Sequence, residues 1–241
     1  MEITPDLLVY WRWGPVTVNA TLVWTWAVMA LLVTTSWALS RGLKTDGTLT
    51  RGQNLLEGVV SLILEQIRDM MGGQRPGPVL PFVGTLFLFI LVANLLSIVP
   101  GYHPPTSSLS TTAALAIAVF VAVPVFGVRR HGLRRYLRQY AEPSLFVLPF
   151  TLLGELSRTL ALATRLFGNM MSGAVIVALL LSLAPLFFPA IMQAFGLLIG
   201  VIQAYIFAML ALVYIASATR AHDDPRARDE TAARSQLDSE E

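Results

Sequence analysis

Five apolar stretches, at about residues 18–39, 80–98, 111–128, 144–182 and 190–219, leave this chain few folds to choose from. A helix needs about 20 apolar residues to cross the hydrocarbon of a bilayer, and each stretch approaches or exceeds that length. Lipid offers the backbone no hydrogen bonds, so a spanning segment must satisfy its own, as a helix does. The chain therefore reads as an all-α integral membrane protein with five spans. Its composition agrees: 55% of the 241 residues are hydrophobic and 13% are charged, about half the charged share of an average soluble chain.

The fourth stretch is nearly twice as long as a crossing requires, so it must tilt, bend or run partly in the membrane plane. An uncharged turn with Pro185 and Pro189 joins it to the fifth, and the two are expected to form a tilted hairpin of long helices. Residues 53–71 differ from the spans. A narrow polar stripe of Asn54, Glu57, Gly58, Ser61, Glu65 and Arg68 lies on a broad apolar body, as in an amphipathic helix on the membrane surface or against partner helices. Residues 1–219 thus form one membrane domain, and the polar, mixed-charge residues 220–241 are expected to be a disordered cytoplasmic tail.

Basic residues orient the chain. Five arginines fall within residues 129–138, and such a cluster stays on the cytoplasmic side. The loop at 100–110 has no Lys or Arg and falls outside. The N-terminus is then outside and the C-terminus inside, with Trp24 and Trp37 near the two ends of the first span as interface aromatics. No short basic and apolar leader with a cleavage site opens the chain, so a removable signal peptide is not expected. The net charge of +2 is too small and scattered for nucleic acid. The absence of cysteine excludes disulfides, thiolate metal sites and a cysteine nucleophile. No metal or cofactor is expected.

The fourth stretch carries the chemistry. Glu155, Arg158, Leu162, Arg165, Asn169 and Ser172 follow at steps of three and four, so the polar members share one helical stripe. An arginine at mid-membrane costs roughly 2.5 to over 10 kcal/mol unless it is partnered or hydrated. Apolar sequence extends on both sides of Arg165 beyond the reach of a snorkelling side chain. A guanidinium keeps its proton at every working pH; it relays nothing itself, but favours the ionised form of any carboxylate that passes, lowering its pKa by about 1 to 3 units. No other span supplies an acid at that depth, so the carboxylate must come from a partner. Glu155 and Arg158 lie two to three turns toward the cytoplasm, either lining an inner access path or forming an i, i+3 ion pair. Asn169 and Gln203 are amides able to bond the guanidinium or hold water, or to join helices.

Three motifs carry a family resemblance. Arg165-Leu166-Phe167-Gly168-Asn169-Met170, preceded by Glu155-Leu156-Ser157-Arg158, is similar to the arginine helix of subunit a of F-type ATP synthases. Ile202 to Phe207 with Tyr214 resembles that subunit's last helix, and Pro105-Thr106 with Thr111 to Ala116 resembles its outer loop. The resemblance implies a stator subunit, not catalytic alone, in a rotary complex of a bacterial plasma membrane. Its partners would be a ring of c subunits, b subunits of a peripheral stalk, and membrane lipid. Arg165 would face the ring carboxylates between two half-channels, so that passage of H+ or Na+ turns the ring.

The departures are equally informative. Ala174 and Gly196 stand where relatives with a proton path usually have acidic or histidine residues. In the outer loop, Ser108 and Ser110 replace an acid and an amide. The outer path would then rely on water-filled access through these hydroxyls, or on sodium as the carried ion, and the divergent N-type branch is a fitting home. A self-contained transporter or channel is the competing reading; such folds usually carry internal repeats and paired broken helices, and none is evident. A purely structural subunit would gain nothing from Arg165.

Overall fold

A computed structural model describes residues 9–13, 16–41, 51–70, 77–99, 101–133, 148–183 and 188–220. Lys44, Arg134, Arg135, Arg138, the turn with Pro185 and the tail beyond 220 lie outside these residues. Two short strands come first, β1 (Val9–Trp13) and β2 (Val16–Asn19), paired antiparallel with Trp11 opposite Val18. The reading for spans and helices did not anticipate them. Valines, a threonine and aromatics suit a pleated ribbon, and Gly14-Pro15 punctuates the sequence between them.

Among the described residues six α-helices follow: α1 (Ala20–Arg41), α2 (Arg51–Met70), α3 (Val79–Leu95), α4 (Leu109–His131), α5 (Leu148–Leu183) and α6 (Phe188–Arg220). All but α2 are long and apolar enough to cross a membrane, as the sequence requires. Pro81 falls in the first turn of α3, where its missing N–H breaks no helical bond. α5, at 36 residues, is about 54 Å long against a hydrocarbon layer of about 30 Å. It is one unbroken helix over that whole length.

The core lies between α3, α4 and α6. Phe207, Leu212 and Ile215 of α6, Ile90 and Val83 of α3, and Val119 of α4 are almost fully buried, and Phe82 meets Phe126 edge-on with ring centroids 5.8 Å apart. α2 adds Ile63 and Ile67 from its apolar side, while Glu57, Glu65 and Arg68 stay exposed. Between α3 and α4 the outer loop folds inward: Pro105, Thr106 and Ser107 form a buried 3-10 turn that packs on α1, α3, α4 and α5. Tyr102 closes it from α1's side, its ring 4.9 Å from that of Trp24.

Burial is unequal among the spans, and the inequality locates the open side of the molecule. The apolar window of α3 is 44% buried and that of α6 39%, but that of α5 only 6%. α5 touches α4 and α6 through a line of Leu162, Ala163 and Leu166. Around it, Leu153, Leu156, Leu160, Ile176 and Leu179 point away from the rest of the chain.

Candidate functional site

Arg165 is exposed, on the open side of α5. At 100° per residue it lies about 60° round the helix from buried Leu162 and 100° from buried Leu166. It thus occupies the edge where the covered stripe gives way to the open face. Among the described residues no hydrogen bond or ion pair engages its guanidinium. Asn169, one turn further, is half-buried, and Ser172 is exposed with its hydroxyl donating to the Asn169 carbonyl at 3.1 Å. The polar stripe read from the sequence runs along this edge; Leu162 is its one inward member.

At the inner end of the stripe, Arg158 Nη1 donates to Glu155 Oε1 at 3.3 Å. The Arg158 guanidinium also lies 5.6 Å from the centre of the Tyr214 ring on α6, within cation–π range. Arg158 thus touches both its own helix, at Glu155, and α6, at Tyr214. The Arg158 side chain is nevertheless 54% exposed, and an ion pair so placed contributes little stability.

Gln203 is buried in α6, between Gly200 and the fully buried Ala204 and Phe207. From the Arg158–Tyr214 contact, Arg165 lies seven residues along α5 and Gln203 eleven residues along α6 in the opposite chain direction, which puts the two within about 6 Å of one height. No hydrogen bond joins the two among the described residues.

Ser108, the residue before α4, is fully buried and Ser110, in the first turn of α4, is exposed, their hydroxyls 2.6 Å apart. Thr112 Oγ1 donates to the Ser108 carbonyl at 3.2 Å, and Ser107 Oγ to the Pro104 carbonyl at 2.7 Å. The loop interior is therefore lined with hydroxyls. Ala174 and Gly196 are both exposed, and a Cβ added at Gly196 would meet nothing within 4 Å.

One polar group was not singled out from sequence as part of any site. Asn94 is 1% exposed and binds both the outer loop and α6. A signal for it existed, because Asn94 is the only amide in the 79–98 span, and a lone amide among apolar residues needs a partner on a neighbouring helix.

Fold and site together define a multi-pass helical membrane protein, with one short strand pair, that carries a permanent positive charge on the uncovered face of the longest helix among the described residues. Comparison with known proteins gives the family: the profile described as ATP synthase A chain matches residues 22–216. The chain belongs to the ATP synthase A chain family. It is 56% identical over 220 residues to ATP synthase subunit a 2 of Acaryochloris marina, covering 91% of this chain and 94% of that one. Over 223 residues it is 53% identical to ATP synthase subunit a 1 of Chlorobaculum parvum, covering 92% and 98%. With ATP synthase subunit a of Albidiferax ferrireducens it shares 53% over 220 residues, 91% and 95% of the two chains.

Proposed function

We propose that this chain is the membrane-sector stator of a rotary F-type ATP synthase or ATPase, and that Arg165 is the group past which the carboxylates of a c-subunit ring move. The observation that carries the reading is the open face of α5. A 30-residue span in which only Leu162, Ala163 and Leu166 are buried, bearing an arginine that no described residue pairs, is incomplete as a monomer. A ring of helices with one membrane carboxylate each supplies both the apolar cover and the counter-charge.

Each step then follows from electrostatics. A ring carboxylate reaches Arg165 carrying its ion, and the guanidinium favours the ionised form, so the ion leaves into one aqueous half-channel. The same positive charge repels a cation trying to pass directly to the other half-channel. Onward movement of the ring loads the vacated carboxylate from the opposite side. One charge crossing yields about 2.3 kcal/mol per 100 mV, so several crossings per turn drive ATP synthesis in the soluble sector, and ATP hydrolysis drives the reverse.

Glu155 and Arg158 would line the inner access, and Ser108 and Ser110 the outer one, with Asn169 and Gln203 holding water near the arginine. H+ is carried if water alone fills the outer path, Na+ if the ring adds oxygen ligands to its carboxylate. The b subunits of a peripheral stalk would hold the chain still, and the assembly belongs in a bacterial plasma membrane, N-terminus outside and C-terminus cytoplasmic.

The chain has no native cysteine, so introduced thiols report cleanly. In the assembled complex, Ile176→Cys and Leu179→Cys, exposed on the Arg165 side of α5, should cross-link to cysteines on the outer helices of the ring, whereas Ile117→Cys on α4 should not. Cross-linking from Ile117 and none from α5 would reverse the assignment of the ring-facing side.

A further inference from the structure

The outer ends of α3 and α6 are joined by polar contacts that the arginine site does not use. Asn94 Nδ2 donates to the Gly200 carbonyl at 3.0 Å, and Thr106 Oγ1 donates to Asn94 Oδ1 at 2.7 Å. One buried amide thus ties α3, α6 and the outer loop together. Seven residues back along α6, Gln193 Nε2 donates to the Ser97 carbonyl at 2.7 Å. The two amides cross the same seam in opposite directions, which fixes both the height and the rotation of α6 against α3.

Gly200 is part of the fit. A Cβ built there would stand 2.9 Å from Asn94 Cβ and 3.4 Å from its Cγ and Nδ2, so no larger residue sits at 200 without moving a helix. The close approach is local, because at Gly196, about one turn earlier, a Cβ meets open space. The buried residues of α3 and α6 are otherwise mostly apolar, and apolar contacts set register weakly in lipid because sliding exchanges like for like. Gln203 lies three residues past Gly200, about 4.5 Å along the helix, and a slip of one residue would turn it about 100° out of its buried place.

We infer that Asn94 and Thr106 are positioning residues for the arginine site: with Gly200 they hold α6 at the height and rotation that keep Gln203 level with Arg165. The inference rests on the function proposed above for Arg165.

The test uses the whole complex in vesicles, measuring ATP-driven ion pumping against ion concentration, with assembly followed by subunit recovery. Thr106→Val removes the donor at nearly constant shape, Thr106→Ser keeps it, Gly200→Ala adds the clashing methyl, and Gly196→Ala is its control. Thr106→Val and Gly200→Ala should each lower maximal pumping at least about tenfold, with the half-saturating ion concentration unchanged. Thr106→Ser and Gly196→Ala should stay within about twofold of the unmodified complex. If Gly200→Ala fails to assemble, the Thr106 pair decides. Unchanged pumping by Thr106→Val overturns the inference. So does an unchanged maximum with a raised half-saturating concentration, which would make Thr106 a lining of the access path. Arg165→Ala runs in parallel: retained coupling there defeats the underlying function, whereas lost coupling there with unaffected lock variants defeats only the positioning role.

Discussion

Replacing Arg165 with Ala removes the one basic group in the middle of α5, and the size of the loss can be worked out. Once the ring covers the open face, a carboxylate about 4 Å from the guanidinium gains about 4 kcal/mol at an effective dielectric of 20. The only acid on α5, Glu155, is ten residues away, about 15 Å along the axis, where the same expression gives about 1 kcal/mol. That acid is already engaged by Arg158, so the chain does not neutralise its own arginine. A passing carboxylate would therefore lose about 1 to 3 pKa units of bias, a 10- to 1,000-fold change in its tendency to release its ion. Coupled pumping by Arg165→Ala should fall below about a hundredth of normal, while passive flux through the membrane sector persists or rises. Arg165→Lys keeps a charge without the planar fork of donors and should restore only part. The assay is ATP-driven pumping and passive flux in vesicles, with assembly verified. Near-normal coupled pumping by the assembled Arg165→Ala complex would refute the mechanism.

Three further outcomes are expected. Cysteines at Val99 and Leu133, both on exposed surface, should label from opposite sides of the membrane; labelling from one side would break the five-span topology. Glu155→Gln should slow ion flux through the membrane sector although the i, i+3 pair it breaks is worth only about 0.2–0.5 kcal/mol; unaltered flux would reduce Glu155 to a structural role. Among the described residues the Tyr102 hydroxyl is buried without a hydrogen-bond partner, and burial pushes its phenol up. The neutral form is thus the folded one, and its stability is complete below the ordinary phenol value of about 10 and lost as pH rises past it. Tyr102→Phe should stabilise the detergent-solubilised protein by about 1 kcal/mol and remove that alkaline sensitivity; destabilisation would show that the hydroxyl is bonded.

How much was legible in the chain depended on whether a residue's cost is absolute or relative. The spans could be read because bilayer thickness sets a length that composition must meet, and α1, α3, α4, α5 and α6 appear where that length is met. Arg165 stood out because a charge among apolar residues is costly wherever its helix points. The β1–β2 pair escaped notice because nine strand residues are too few to compete with the span beside them.

What the sequence by itself determined, then, is the five spans and the amphipathic helix α2, their approximate lengths, and the stripe from Glu155 to Ser172 with Arg165 as the charge in its middle. Only the tertiary structure decided that α5 keeps most of its surface uncovered, that Gln203 is buried, that Arg158 reaches Tyr214, and that Asn94 joins Thr106 to Gly200. The physical reason is that a spanning helix is apolar all round, whether it faces lipid, a neighbour in its own chain or a partner. Hydrophobic periodicity, which marks the inner face of a helix in water, has no contrast here. The facing of each helix is set instead by close packing and by a few amides and glycines that fit in only one register.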